Sequence, residues 1–158
     1  MIKKVLFLLV IISSIYLINN ENKKIKKEAE KKFSIENINE IDKVFLSDRK
    51  GNNLVLEKND DSWFINERFK VRKDAINTLL TTINEVEVQR PVSNTAYNNI
   101  IKQLATTGVK VEIYYKNNIK TYTVGGSTSD HLGTYMLMED GDNPYVVHIP
   151  GFNGFLSP

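Results

Sequence analysis

One segment of this 158-residue chain gathers glycines, hydroxyls, a carboxylate and an imidazole: Gly125-Gly126-Ser127-Thr128-Ser129-Asp130-His131-Leu132-Gly133-Thr134. Two chemistries suit those residue types. Backbone N–H groups freed by glycine, with the hydroxyls of Ser127, Thr128 and Ser129, can donate to a small anion or a sugar. Asp130 and His131 are an acid and a base at neighbouring positions. Against the first stands the missing Gly-Lys-Ser/Thr ending of a phosphate loop, and the segment joins two predicted strands rather than a strand and a helix. Against the second, adjacent side chains on an extended segment point to opposite faces. The segment is expected to be a polar hairpin connection first, and a ligand-binding loop built on residues 125–131 second.

The remaining candidates are weaker. His148 sits in an apolar run between Val147 and Ile149, which cannot coordinate a metal, so a structural histidine is expected. The chain has no Cys, which excludes disulfides, thiolate metal sites and a cysteine nucleophile. Glu139, Asp140 and Asp142 lack the spacing and the terminal Glu of a calcium loop and read as a solvated turn. Trp63, Phe64 and Phe69 read as core before they read as a partner-binding aromatic patch. No catalytic residue, metal or cofactor is expected.

The net charge of +2 divides unevenly along the chain. Residues 1–32 carry eight Lys against three Glu, a net of +5, and residues 33–158 carry 13 basic against 16 acidic residues, a net of −3. An acidic body whose four Arg are separated in sequence is a poor phosphate binder, so no nucleic-acid partner is expected.

The basic leader reads as a membrane anchor. Lys3 and Lys4 precede an uncharged run of 14 residues, Val5 to Ile18, interrupted by Ser13, Ser14 and Tyr16. At about 1.5 Å per residue the run covers roughly 21 Å, short of a hydrocarbon core of about 30 Å. Met1, Ile2, Asn19 and Asn20 extend it to 20 residues, and lysine side chains can snorkel to the interface. No Ala-x-Ala-like site follows, which favours an uncleaved signal-anchor at residues 1–20 over a cleaved signal peptide. Residues 21–32 contain no Gly or Pro, pair Lys24 with Glu28 and Lys26 with Glu30 at i, i+4, and are expected to form a basic helical stalk. Six lysines in that stalk favour a cytoplasmic body by the positive-inside rule, while a tiny basic tail before a signal-anchor favours the opposite. The expectation adopted is an extracytoplasmic body.

From Phe33 the pattern becomes short strands separated by turns. Lys43 to Ser47, Leu54 to Glu57 and Trp63 to Ile65 predict an antiparallel meander. Ile76, Leu79, Leu80, Ile83 and Val86 form one apolar helical face. Pro91 interrupts, and Tyr97, Ile100, Ile101 and Leu104 predict a second helix ending near Gly108. Val109 to Lys116 and Ile119 to Val124 predict a hairpin turning at Asn117-Asn118, and Thr134 to Met138 with Tyr145 to Ile149 predict another. The expected domain, residues 33–158, is α+β, a mainly antiparallel sheet of meander and hairpins with two helices packed on one side. The apolar, turn-rich stretch from Pro150 to Pro158 predicts that a longer chain continues beyond it.

Several segments resemble a known family. Ile41-Asp42-Lys43-Val44-Phe45-Leu46-Ser47-Asp48, Trp63-Phe64-Ile65-Asn66, Arg72-Lys73-Asp74-Ala75-Ile76 and Gly108-Val109-Lys110-Val111-Glu112-Ile113-Tyr114 carry the likeness. So do Val124-Gly125-Gly126, Gly133-Thr134-Tyr135-Met136-Leu137 and Val146-Val147-His148-Ile149-Pro150-Gly151-Phe152. Together they resemble the domain of unknown function 4340 family of bacterial membrane-anchored proteins, especially its short Bacteroidetes-like members. The resemblance spans nearly all of the body and implies a basic N-terminal anchor in a bacterial inner membrane. It carries over no site residues. For partners it implies envelope proteins, in particular an ABC-type transport system linked to gliding motility. The resulting expectation is a noncatalytic interaction or accessory module, with a small-molecule or anion-binding, even enzymatic, domain built on the 125–134 loop as the alternative.

Overall fold

The computed structural model describes residues 29–156. The expected anchor at residues 1–20, and the stalk as far as residue 28, lie outside the described residues. Nine strands, β1 (Ile41–Ser47), β2 (Asn53–Asn59), β3 (Ser62–Ile65), β4 (Phe69–Lys70), β5 (Glu87–Pro91), β6 (Val109–Tyr115), β7 (Asn118–Ser127), β8 (Thr134–Met138) and β9 (Tyr145–His148), form one sheet in the order β4-β3-β2-β1-β6-β7-β8-β9-β5. Every neighbouring pair is antiparallel. Two helices, α1 (Lys73–Glu85) and α2 (Asn94–Thr107), complete the expected α+β class.

The meander β1 to β4 and the meander β6 to β9 each follow from tight turns, as the alternation predicts. Two strands were not predicted. The two residues of β4 are too short to show a period, and β5 carries Pro91, which reads as a breaker. Pro91 is tolerated because β5 is the outermost strand and pairs only with β9, so one of its edges needs no ladder N–H.

α1 connects the two opposite edges of the sheet. Laid flat, nine strands spaced about 4.8 Å apart would separate β4 from β5 by about 38 Å. The chain from Lys70 to Glu87 reaches about 35 Å even with its links pulled straight, because the helical part rises only about 1.5 Å per residue. The sheet therefore curls around the helix into a trough. Ile76 and Ile83 of α1 pack in one core with Val44, Val111, Tyr122, Val124, Met136 and Val147, drawn from strands across the sheet.

The second helix corrects the expectation that both pack on one side. Along β7 the side chains alternate, and Tyr122 and Val124 face α1. Thr123 and Gly125 face the other way, and that is where α2 lies. A Cβ at Gly125 would come within 2.6 Å of Leu104 Cδ2, and one at Gly108 within 2.5 Å of Thr123 Cγ2. Buried Ile100 and Leu104 are the inward face of α2. An amphipathic stripe specifies that a helix packs on the sheet but not which face receives it.

The chain entering the trough is fastened tightly. Phe33 is fully buried, its ring edge-on to Tyr122 at 5.7 Å and to Tyr145 at 6.0 Å. Lys120 Nζ donates to the carbonyls of Lys32 (3.1 Å) and Ser34 (2.6 Å), and its burial pushes its pKa down. Ile35 N–H donates to Ile83 O, and the Asn84 amide donates to the carbonyls of Ile35 and Glu36. Lys31 and Lys32, placed in the expected stalk, also touch the body: Lys31 pairs with Glu87 at 2.8 Å, and the Lys32 ammonium lies 5.2 Å from the Tyr145 ring centroid.

Replacing Phe33 with Ala removes a fully buried ring and is expected to cost about 3–5 kcal/mol in urea denaturation. Phe69→Ala, at a side chain 68 % exposed, is expected to change stability by no more than about 0.5 kcal/mol.

Candidate functional site

The structure places Gly125, Gly126 and Ser127 in β7 rather than in a loop, so the connection to β8 is residues 128–133. A register irregularity between Val124 and Ser127 bends the strand end. Thr128 closes the loop on itself. Its N–H donates to Gly133 O (2.8 Å), and its Oγ1 accepts from Gly133 N–H (3.1 Å). The hydroxyl has one proton, and the Asp130 carboxylate, which only accepts, takes it. Leu132 N–H donates to the same carboxylate oxygen (3.1 Å), and His131 N–H to Thr128 O (3.0 Å).

Asp130 and His131 are not coupled. Asp130 turns inward to Thr128 and Leu132, while His131 Nδ1 lies 3.2 Å from Ser127 Oγ and its ring 5.7 Å from that of Phe155. The separation was expected, but its cause differs. His131 adopts a left-handed backbone, φ 57°, in a turn, so extended-strand alternation does not apply. The Thr128 hydroxyl first, then the Leu132 N–H, holds the Asp130 pKa below its ordinary value, which suits it poorly to donate a proton at neutral pH. Ser129 is exposed and makes no side-chain hydrogen bond to a described residue.

Close packing accounts for the glycines that suggested an anion cradle. A Cβ at Gly126 would meet Gln103 Nε2 at 2.8 Å, and one at Gly133 would meet Val146 Cγ1 at 2.6 Å and Val147 O at 3.1 Å. Gly125 lets α2 approach β7 and Gly133 lets β8 approach β9, whereas at Gly126 only the movable end of Gln103 stands in the way. In sequence, a glycine that admits a neighbouring element looks the same as one that admits a ligand.

The other candidates stay apart. His148 is half-buried on β9, opposite Glu87, and among the described residues no group of three or more His, Cys, Asp or Glu could hold a metal ion. In the acidic turn Glu139 reaches Lys110 at 3.5 Å, and Tyr97 donates its hydroxyl proton to Asp142 O at 2.8 Å. Trp63 is buried as expected and Phe64 half-buried, but Phe69, also expected in the core, lies exposed on the two-residue edge strand β4, so the three form neither one core cluster nor one surface patch.

A polar row on the sheet face away from α1 had no sequence signal beyond alternation. Glu57 pairs with Lys43 (2.8 Å), whose ammonium lies 5.4 Å from the Tyr114 ring centroid; Tyr114 donates to Glu112 (2.7 Å), and Glu112 pairs with Lys110 (3.1 Å). The Tyr114 hydroxyl is the main cause of the lowered Glu112 pKa, and the Glu57 carboxylate of the raised Lys43 pKa. Only register brings these residues side by side.

Thr128→Val leaves the Gly133 N–H unpaired and is expected to cost about 1–3 kcal/mol. It is also expected to raise the Asp130 pKa toward its ordinary 3.8, read by NMR titration of the carboxyl. In the native protein the stabilisation linked to Asp130 is present above that ordinary value and is lost as pH falls through the lower folded one; in the variant this acid-side loss shrinks. A scan against protein-family models, a search of curated proteins and a search of solved structures find no match for this chain.

Proposed function

We propose that this protein is a single-pass, membrane-anchored, noncatalytic module of the bacterial cell envelope, with its body outside the cytoplasm. The observation that carries the reading is the uncharged run Val5 to Ile18 behind Lys3 and Lys4. The fastening of the first described residues supports it: Lys31, Lys32 and Phe33 are held by Glu87, Lys120, Tyr122 and Tyr145, so this segment has a fixed place on the body. Anchoring raises the effective concentration of the body beside membrane partners. The resemblance to the domain of unknown function 4340 family favours an ABC-type transport system as that partner.

The sheet edges are poorly suited to partner strands. β4 has two residues, and β5 ends in Pro91 and carries a register shift between Val88 and Arg90. Contacts are better supplied by the helices and by exposed Phe69. The noncatalytic reading rests on the 128–133 loop, where Thr128, Asp130 and Gly133 spend their polar groups on one another. The alternative, a ligand site on that loop, draws on exposed His131 beside Ser127.

Introducing Leu9→Arg with Ile12→Arg into the full chain is expected to move the protein from the membrane to the soluble fraction, because each charge at a helix centre costs about 2.5–3.5 kcal/mol on insertion. A reporter active only outside the cytoplasm, fused after Pro158, is expected to be active; an expressed but inactive fusion overturns the orientation. Asp130→Asn with His131→Ala is expected to leave binding of a metabolite panel unchanged, and loss of a bound metabolite would establish the loop as a site.

A further inference from the structure

α1 does not fill the trough that the sheet makes around it. A cavity of about 80 Å³ remains between them, bounded by Leu79 and Ile83 of α1 and by Val44, Val111, Val124 and Met136 of the sheet. One water needs roughly 10–15 Å³, so the space is several times larger than that. Its walls offer almost nothing to hold water in place. Tyr122 also lines it, 4 % exposed, with a hydroxyl that makes no hydrogen bond to any described residue.

A second, open space adjoins the first. A groove of about 660 Å³ runs between α1, at Thr78, Thr81 and Glu85, and the C-terminal strap, at Phe152 and Phe155. Thr82 and Leu156 line both the cavity and the groove, so the two spaces meet at these residues. Leu156 is held by one side chain: Thr134 Oγ1 donates to Leu156 O (3.0 Å) and Leu156 N–H donates to Thr134 Oγ1 (2.7 Å). Among the described residues no other hydrogen bond ties residues 150–156 to the sheet. Among the described residues Glu85 is the only charged side chain lining either space.

An apolar chamber opening past a lightly held leucine into a wider groove with threonines and one carboxylate has the polarity of an amphiphile. We propose that the cavity and groove together bind a single-tailed amphiphile with a neutral or cationic head, its tail under α1, its head beside Glu85 and Leu156 as the gate. At about 80 Å³, roughly half the volume of about 150 Å³ that holds a benzene ring, the chamber admits only about the last three or four carbons of one tail, with the rest lying in the groove, and the carboxylate disfavours anionic heads.

The test uses the full chain in detergent-free lipid nanodiscs, with methyl-labelled Leu, Val and Met. Octyltrimethylammonium and 1-octanol are expected to give saturable NMR shifts at Val111, Val124 and Met136, with octanoate weaker by about tenfold, the effect of a single nearby carboxylate. Glu85→Gln is expected to bring octanoate within about twofold of the cation. Val124→Ile, which adds a methylene to the chamber wall, is expected to weaken all three probes while the spectrum stays folded; Thr134→Val, which frees the gate, is expected to speed dissociation. Doping the nanodiscs with lysophosphatidylcholine separates sources: shifts at the same methyls support a membrane-borne ligand, and shifts from the soluble probes alone support a soluble one. Non-saturable shifts, shifts confined to Leu156 at the groove, or octanoate binding as tightly as the cation would overturn the proposal.

Discussion

A 13-residue helix tied to both edges of a nine-stranded sheet is the constraint on which the rest of this structure depends. β4 delivers the chain to α1 at one edge and β5 receives it at the other, and the short connection prevents the sheet from lying flat. Curling gives the sheet two unequal faces. The concave one wraps α1 and collects the aliphatic core, while the convex one carries α2 near Gly125 and the polar row from Glu57 to Lys110. A trough closed over a single helix also packs imperfectly, since 3.6-residue and 2-residue side-chain periods do not interdigitate everywhere, and the cavity beneath Leu79 and Ile83 lies at that junction.

The leader side of the domain is built around the same trough. Phe33 fills one region of it, and Lys120, a half-buried cation, is tolerated there because two backbone carbonyls accept its hydrogen bonds. That lysine serves two needs at once: it satisfies carbonyls of an irregular segment that has no strand partner, and it fixes where the segment leaves the body. The domain's surface therefore has a defined orientation relative to that segment. The convex polar row and the blunted edges keep that surface from pairing indiscriminately with other strands.

The loop between β7 and β8 shows how densely placed polar residues can satisfy one another. Thr128 is buried and uses both capacities of its hydroxyl to hold Gly133 and Asp130, so it organises the turn instead of presenting a donor to solvent. His131 faces outward against Phe155, and the Thr134 hydroxyl next in line holds Leu156. The loop and the strap thus form one small structural unit beside the cavity. Within it the Thr128 hydroxyl holds the turn and the Thr134 hydroxyl holds the strap.

Short-range periodicity was enough to read the hairpins from Val109 to Val124 and from Thr134 to His148, the apolar face of α1, the core role of Trp63 and the division of charge between leader and body. Each of these rests on neighbours within a few positions, where side-chain direction follows from the backbone period. Two-residue β4 and proline-bearing β5 escaped because such strands exist only through their partners. The face occupied by α2, the packing role of Gly125 and Gly133, the left-handed turn at His131, the row from Glu57 to Lys110 and the cavity under α1 also escaped. All of these depend on residues distant in sequence meeting across a curled sheet, and the curl is set by where one helix begins and ends, a relation that no local pattern encodes.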